Sequence, residues 1–109
     1  MSESHYDCPC MEKCPLHHAM QLIGGKWKVQ ILCAVCIAGA IRYNALRSKL
    51  DGVSNTVLSS ALRELERDGL VTRQEYLEVP VRVEYSPTDS CRELPPILEQ
   101  LSDWAEKRM

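Results

Sequence analysis

Glycine occurs five times in this chain, at positions 24, 25, 39, 52 and 69, and each closes or joins a short run of apolar residues spaced for one face of a helix. Glycine just past such a run is a strong stop signal, so the first seventy residues are several short helices. Leu16, Ala19, Met20 and Ile23 form the first stripe, opened by Pro15 and stopped at Gly24-Gly25. A second helix over residues 26–38 is apolar almost all round after Gln30, which predicts a place in the middle of the core. Residues 42–50 carry Tyr43, Leu46 and Leu50 on a short third helix, and Asp51-Gly52 makes a turn. Ser54 is a good N-cap for a fourth, with Leu58, Leu62 and Leu65 on one face and Gly69 as its stop.

Two short helices across a tight glycine turn are either a helix-turn-helix or an ordinary helical hairpin. The next segment favours the first. Residues 71–77 and 81–85 read as strands around Glu78-Val79-Pro80, with Val81, Val83 and Tyr85 alternating against Arg82 and Glu84. The expected fold is α+β, mainly helical: a winged helix-turn-helix with a two-stranded wing and dimerisation helices at both ends, in a single domain over residues 1–109. Residues 1–13 form a polar arm. The last helix, residues 94–107, has Pro95 and Pro96 in its first turn and the stripe Ile97, Leu98, Leu101, Trp104 and Ala105. In so small a chain that stripe predicts a homodimer contact shared with the first helix.

The longest uncharged stretch, residues 29–41, falls short of the ~18 apolar residues of a membrane span. The first thirteen residues have no apolar signal region, so the expectation is a cytoplasmic protein away from membranes. A net charge of −2 argues at first against a nucleic-acid partner. Its distribution reverses the argument. Between Lys26 and Arg82 nine basic residues stand against six acidic ones, about +3, while the flanks carry about −5.

On the fourth helix, the face opposite the leucines presents Asn55, Thr56, Ser59, Ser60 and Arg63. Short hydrogen-bonding side chains near the N-terminal end of a recognition helix suit base edges, with Asn and Arg fitted to adenine and guanine. A solvated polar face is the plain alternative, but such faces usually include glutamate, and none precedes Glu64. Expected phosphate contacts are Arg42, Tyr43, Asn44, Lys26 and Lys28, with Arg82 near the hairpin tip reaching the backbone or minor groove. Arg67 and Arg73 are expected to pair with nearby carboxylates.

Six cysteines are many for a small cytoplasmic chain. Cys14 precedes Pro15 at a helix start, where the dipole and Lys13 favour its thiolate and Glu12 opposes it; a small buried packing residue is the alternative. Cys8 and Cys10 could trap oxidised Cys14 as a disulfide, and Cys36 is a further candidate partner. Cys8, Cys10 and Cys14 lie near His5, His17 and His18, yet their spacing matches none of the familiar zinc knuckles. Cys33 and Cys36 sit inside an apolar helix, which predicts core packing over a thiol oxidoreductase pair. No nucleophile triad, paired-carboxylate site or phosphate loop is visible, so neither catalysis nor a cofactor is expected. A regulator responding to a metal or to a ligand bound by Trp27, Met20 and Trp104, with structural cysteines, is the other reading.

Several linked segments resemble the HxlR family of bacterial transcriptional regulators, in order and with the right gaps. They are Cys14-Pro15, Ile23-Gly24-Gly25-Lys26-Trp27, Arg42-Tyr43-Asn44-Ala45-Leu46, the run from Leu62 to Val71 and the run from Glu78 to Ser86. The resemblance covers residues 14–104. It implies a homodimeric winged helix-turn-helix protein bound to two-fold symmetric double-stranded DNA operators, often a repressor. It also implies a small electrophile or oxidant as effector, sensed through Cys14. Thr56 stands where members often carry a longer side chain, and Pro87 and Cys91 where they usually have leucine and glycine.

Overall fold

A computed structural model describes residues 14–109, so the polar arm and Cys8 and Cys10 lie outside the described residues. Helix α1 (Pro15–Ile23) begins with proline, whose missing amide costs nothing at that position, and ends at Gly24. A Cβ on Gly24 would overlap the Met20 carbonyl, so glycine lets the chain turn sharply there. The next helix, α2 (Lys28–Ala38), lies bent by 74° from α1. No single helix among the described residues is long and apolar enough to cross a membrane.

Strand β1 (Ile41–Arg42) leads into α3 (Tyr43–Ser48), and α4 (Asn55–Arg67) follows across the Asp51-Gly52 turn. Ser54 caps α4 as its spacing predicts, its Oγ accepting from the Val57 amide at 3.1 Å. At the other end Gly69 takes φ +80°, while Leu70 N–H donates to the Leu65 carbonyl and Gly69 N–H to that of Glu66. Both carbonyls are thereby satisfied, and buried Leu70 packs with buried Leu65 in the same core.

Strands β2 (Val71–Tyr76) and β3 (Arg82–Pro87) form the wing. The sheet has three strands in the order β1-β3-β2, all antiparallel, with Ile41 opposite Tyr85 and Val71 opposite Pro87. The expected two-stranded wing thus gains a third, two-residue strand at its base. A short helix α5 (Asp89–Arg92) then connects to α6 (Leu94–Glu106), whose first turn holds Pro95 and Pro96. Thr88 joins these parts: its hydroxyl donates to the Gly69 carbonyl at 2.7 Å and accepts the Cys91 amide at 3.2 Å.

The core is built from one face each of the central helices and the sheet: Ile31, Leu32 and Val35 of α2, Leu46 of α3, Leu58, Leu62 and Leu65 of α4, and Val71 of β2 are all buried. Helix α2 is central as expected, but only on one side. Ile37 is 87% exposed and Cys33 is exposed, so an all-round apolar composition did not mean all-round burial. On α6, Ile97, Leu101 and Trp104 leave more than half of their surface uncovered.

Candidate nucleic-acid interface

Helix α4 turns its leucines inward, which leaves Asn55, Thr56, Ser60 and Arg63 exposed and Ser59 half-buried. These five expected base-reading residues therefore share one face. Its first turn carries no acidic residue, so the positive end of the helix stands open to a phosphate or a base edge.

Tyr43 of α3 reaches across to this face. Its hydroxyl lies 2.9 Å from Asn55 Oδ1 and 3.3 Å from Ser59 Oγ. Expected as a phosphate contact, Tyr43 is a strut that fixes the two helices and one side-chain orientation. An amide oxygen has two acceptor sites, so the donation from Tyr43 leaves one for a base, along with both amide protons. Beside the strut, Arg63 lines a groove with Ser59, Glu66, Arg73 and Tyr85.

Among the expected phosphate contacts, Arg42 and Asn44 are exposed at the start of α3, and Lys26 is exposed with its ammonium 5.0 Å from the Trp27 ring. Lys28 and Arg82 are placed differently. The Lys28 ammonium is 2.7 Å from Glu64 Oε1 and its side chain is 12% exposed. This pair ties the start of α2 to α4, and it holds Glu64, the first acid on α4, below the ordinary carboxylate range by hydrogen bond and by charge. A carboxyl whose folded value is depressed contributes stability above its unfolded value of about 4.3 and loses it as pH falls through the lower folded value. Lys28→Met should therefore lower the melting temperature at neutral pH and flatten its decline on acidification, and thermal melts across that range check it.

Arg82 sits inside the wing. Its guanidinium bonds Glu84 at 2.8 Å and Glu78 at 2.9 Å and lies 4.0 Å over the Tyr76 ring. Two carboxylates more than offset its charge and the ring covers its face, so it braces the hairpin. Leu77 and Val79 at the tip are almost wholly exposed. Arg67 and Arg73 meet Asp68 and Glu75, as their neighbours in sequence suggested. Sequence reasoning missed Tyr43 as a strut and Lys28 as a tie, since both bonds join different helices and leave no trace in spacing.

Of the sulfur groups, Cys14 is the N-cap of α1 and half-buried. Cys36 lies against Cys91, with 3.2 Å between their sulfurs. A cavity with apolar walls is lined by this pair and by neighbouring residues of α2 and α6, and Trp27 lines a separate groove with Lys28, Thr56 and Val57.

The family model for HxlR-like helix-turn-helix proteins matches residues 22–109. An uncharacterised HTH-type transcriptional regulator of Halalkalibacterium halodurans is 45% identical over 93 residues, 85% of this chain and 82% of the relative. Among solved structures, a MarR-family regulator from Porphyromonas gingivalis W83 superposes with a TM-score of 0.84 at 32% identity, covering 92% of this chain and 97% of its own. The redox regulator HypR in its oxidised form superposes with a TM-score of 0.77 at 40% identity, covering 86% and 96%; it is also known in a reduced form.

Proposed function

Because the chain belongs to the HxlR-like helix-turn-helix family of transcriptional regulators, we propose that it is a cytoplasmic homodimeric repressor whose hold on DNA is released when an oxidant or electrophile reacts at Cys14. One observation carries the redox part: Cys14 is the N-cap of the nine-residue α1, with Pro15 next to it. A thiolate there meets the positive end of the helix dipole, the setting that lowers a thiol's pKa and raises its reactivity. Similarity to HypR, which is described as a redox regulator, supports the same reading.

On the DNA side, Asn55, Thr56, Ser59, Ser60 and Arg63 read base edges from the major groove, and Arg42, Asn44 and Lys26 hold phosphates. Two copies pair through α1 and the exposed α6 stripe of Ile97, Leu101 and Trp104. That pairing sets the distance between two α4 helices, which must match half-sites about one DNA turn, 34–36 Å, apart. A modified Cys14 at the start of α1 changes the pairing, and so the spacing. In a gel shift with a fragment of the neighbouring genomic DNA, diamide should release the wild type and leave Cys14→Ser bound. Equal release of both proteins would remove Cys14 from the mechanism and leave the DNA contacts standing.

A further inference from the structure

Cys36 and Cys91 meet across two elements that the chain joins only at a distance of fifty-five residues. Their sulfurs are 3.2 Å apart, with Cys91 fully buried and Cys36 half-buried. Both line a cavity of about 280 Å³ whose walls are otherwise carbon-rich: Leu32, Leu94 and Leu98, with Cys33 a turn before Cys36. Glu99 is the one charged residue among its described lining. A hydrated hard ion finds little there to replace its water, whereas an apolar group with affinity for sulfur is matched on both counts.

The spacing narrows the chemistry. In a tetrahedral zinc site two sulfurs, each about 2.3 Å from the metal, lie about 3.8 Å apart. Linear two-sulfur ions hold them farther apart still. Among the described residues no three His, Cys, Asp or Glu side chains are grouped to hold a metal. Pyramidal trivalent arsenic needs only two sulfurs and holds them near a right angle, which brings them closer than zinc does. From this geometry we propose that Cys36 and Cys91 form a dithiol site for trivalent organic arsenicals, the arsenic bridging the two sulfurs and its organic group lying in the cavity.

The step needs no oxidant. The hydrated arsine oxide loses two As–O bonds, two As–S bonds form, and each thiol proton leaves with an oxygen as water. Burial, then the bond with Cys36, pushes the Cys91 thiol up to about 12, and partial desolvation, then the charge of Cys36, raises the largely exposed Cys33 as well. Cys91 is therefore a neutral thiol, slow toward reagents that need a thiolate. Soft-element binding drives the protons off instead. The cavity's described lining includes neither Cys14 nor any residue of α4.

The test treats the reduced, desalted full chain with equimolar phenylarsine oxide and maps the product by mass spectrometry after acid digestion. The expected product is one arsenic joining the peptide that holds Cys36 to the peptide that holds Cys91. Cys91→Ala, with its fold checked by circular dichroism, should bind the reagent roughly a hundredfold more weakly, because the second attachment acts at high effective concentration. Arsenic on Cys33 and Cys36, on the N-terminal cysteines, or on no cysteine overturns the proposal, as does a Cys36–Cys91 disulfide without arsenic. The wild-type map decides the matter even if Cys91→Ala fails to fold.

Discussion

Leu58→Ala should lower the unfolding free energy by about 2–5 kcal/mol, the range for removing a buried leucine side chain and leaving the space unfilled. Leu58 is fully buried in the cluster where α4 meets α2 and the sheet. A domain of this size is stable by about 5–15 kcal/mol in total, so the loss is a large fraction of what holds the fold. Urea denaturation monitored by circular dichroism should show a lower midpoint with little change in slope. Half-exposed Val57, next to it on the same helix, is the control: Val57→Ala should stay within about 0.5 kcal/mol of wild type. Because α4 is a core element and also the helix proposed to face DNA, Leu58→Ala should also weaken operator binding near its midpoint temperature without altering which sequence is preferred.

Arg63→Ala should do the reverse, leaving stability alone and changing what is read. Arg63 is exposed and, among the described residues, makes no ion pair, so its removal leaves no buried charge behind. A two-pronged contact to a guanine discriminates by about 1–3 kcal/mol, equivalent to roughly 5- to 150-fold in affinity at each half-site. The loss should be concentrated at one base pair of the operator, visible when each position is varied in turn. Arg42→Ala is the contrast. A phosphate contact carries no sequence information, so its loss should weaken all operators alike and reduce the salt slope by about one. Equal effects of the two substitutions at every operator position would show that Arg63 holds the backbone.

The helices and the wing were legible because their signals are local: a proline before a stripe, a serine cap, a glycine stop, an alternation around Glu78-Val79-Pro80. Elements too short to carry a period were not. β1 has two residues and α5 has four; the first depends on pairing with β3 and the second on the Thr88 cap. Helix α2 shows a different limit. When nearly every residue is apolar there is no polar face to mark the outside, and the exposure of Ile37 and Cys33 depends on which sides of α2 the other elements cover. The outward polar face of α4 was readable as a set of residues, since caps and leucines fix the rotation of the helix. What its side chains bond to was not, because Tyr43 to Asn55, Lys28 to Glu64 and Cys36 to Cys91 are meetings of distant segments.

The strut between α3 and α4 bears on how such a protein can diverge. Asn55 and Ser59 share a partner in Tyr43, so a change at any one of the three disturbs the other two. Thr56, Ser60 and Arg63 on the same face carry no such obligation. In descendants of one ancestral gene the trio should be inherited as a block, and new target sites should be acquired through substitutions at the other three positions. A single lineage could thus exchange the promoters it governs many times over while keeping the seating of its two helices unchanged.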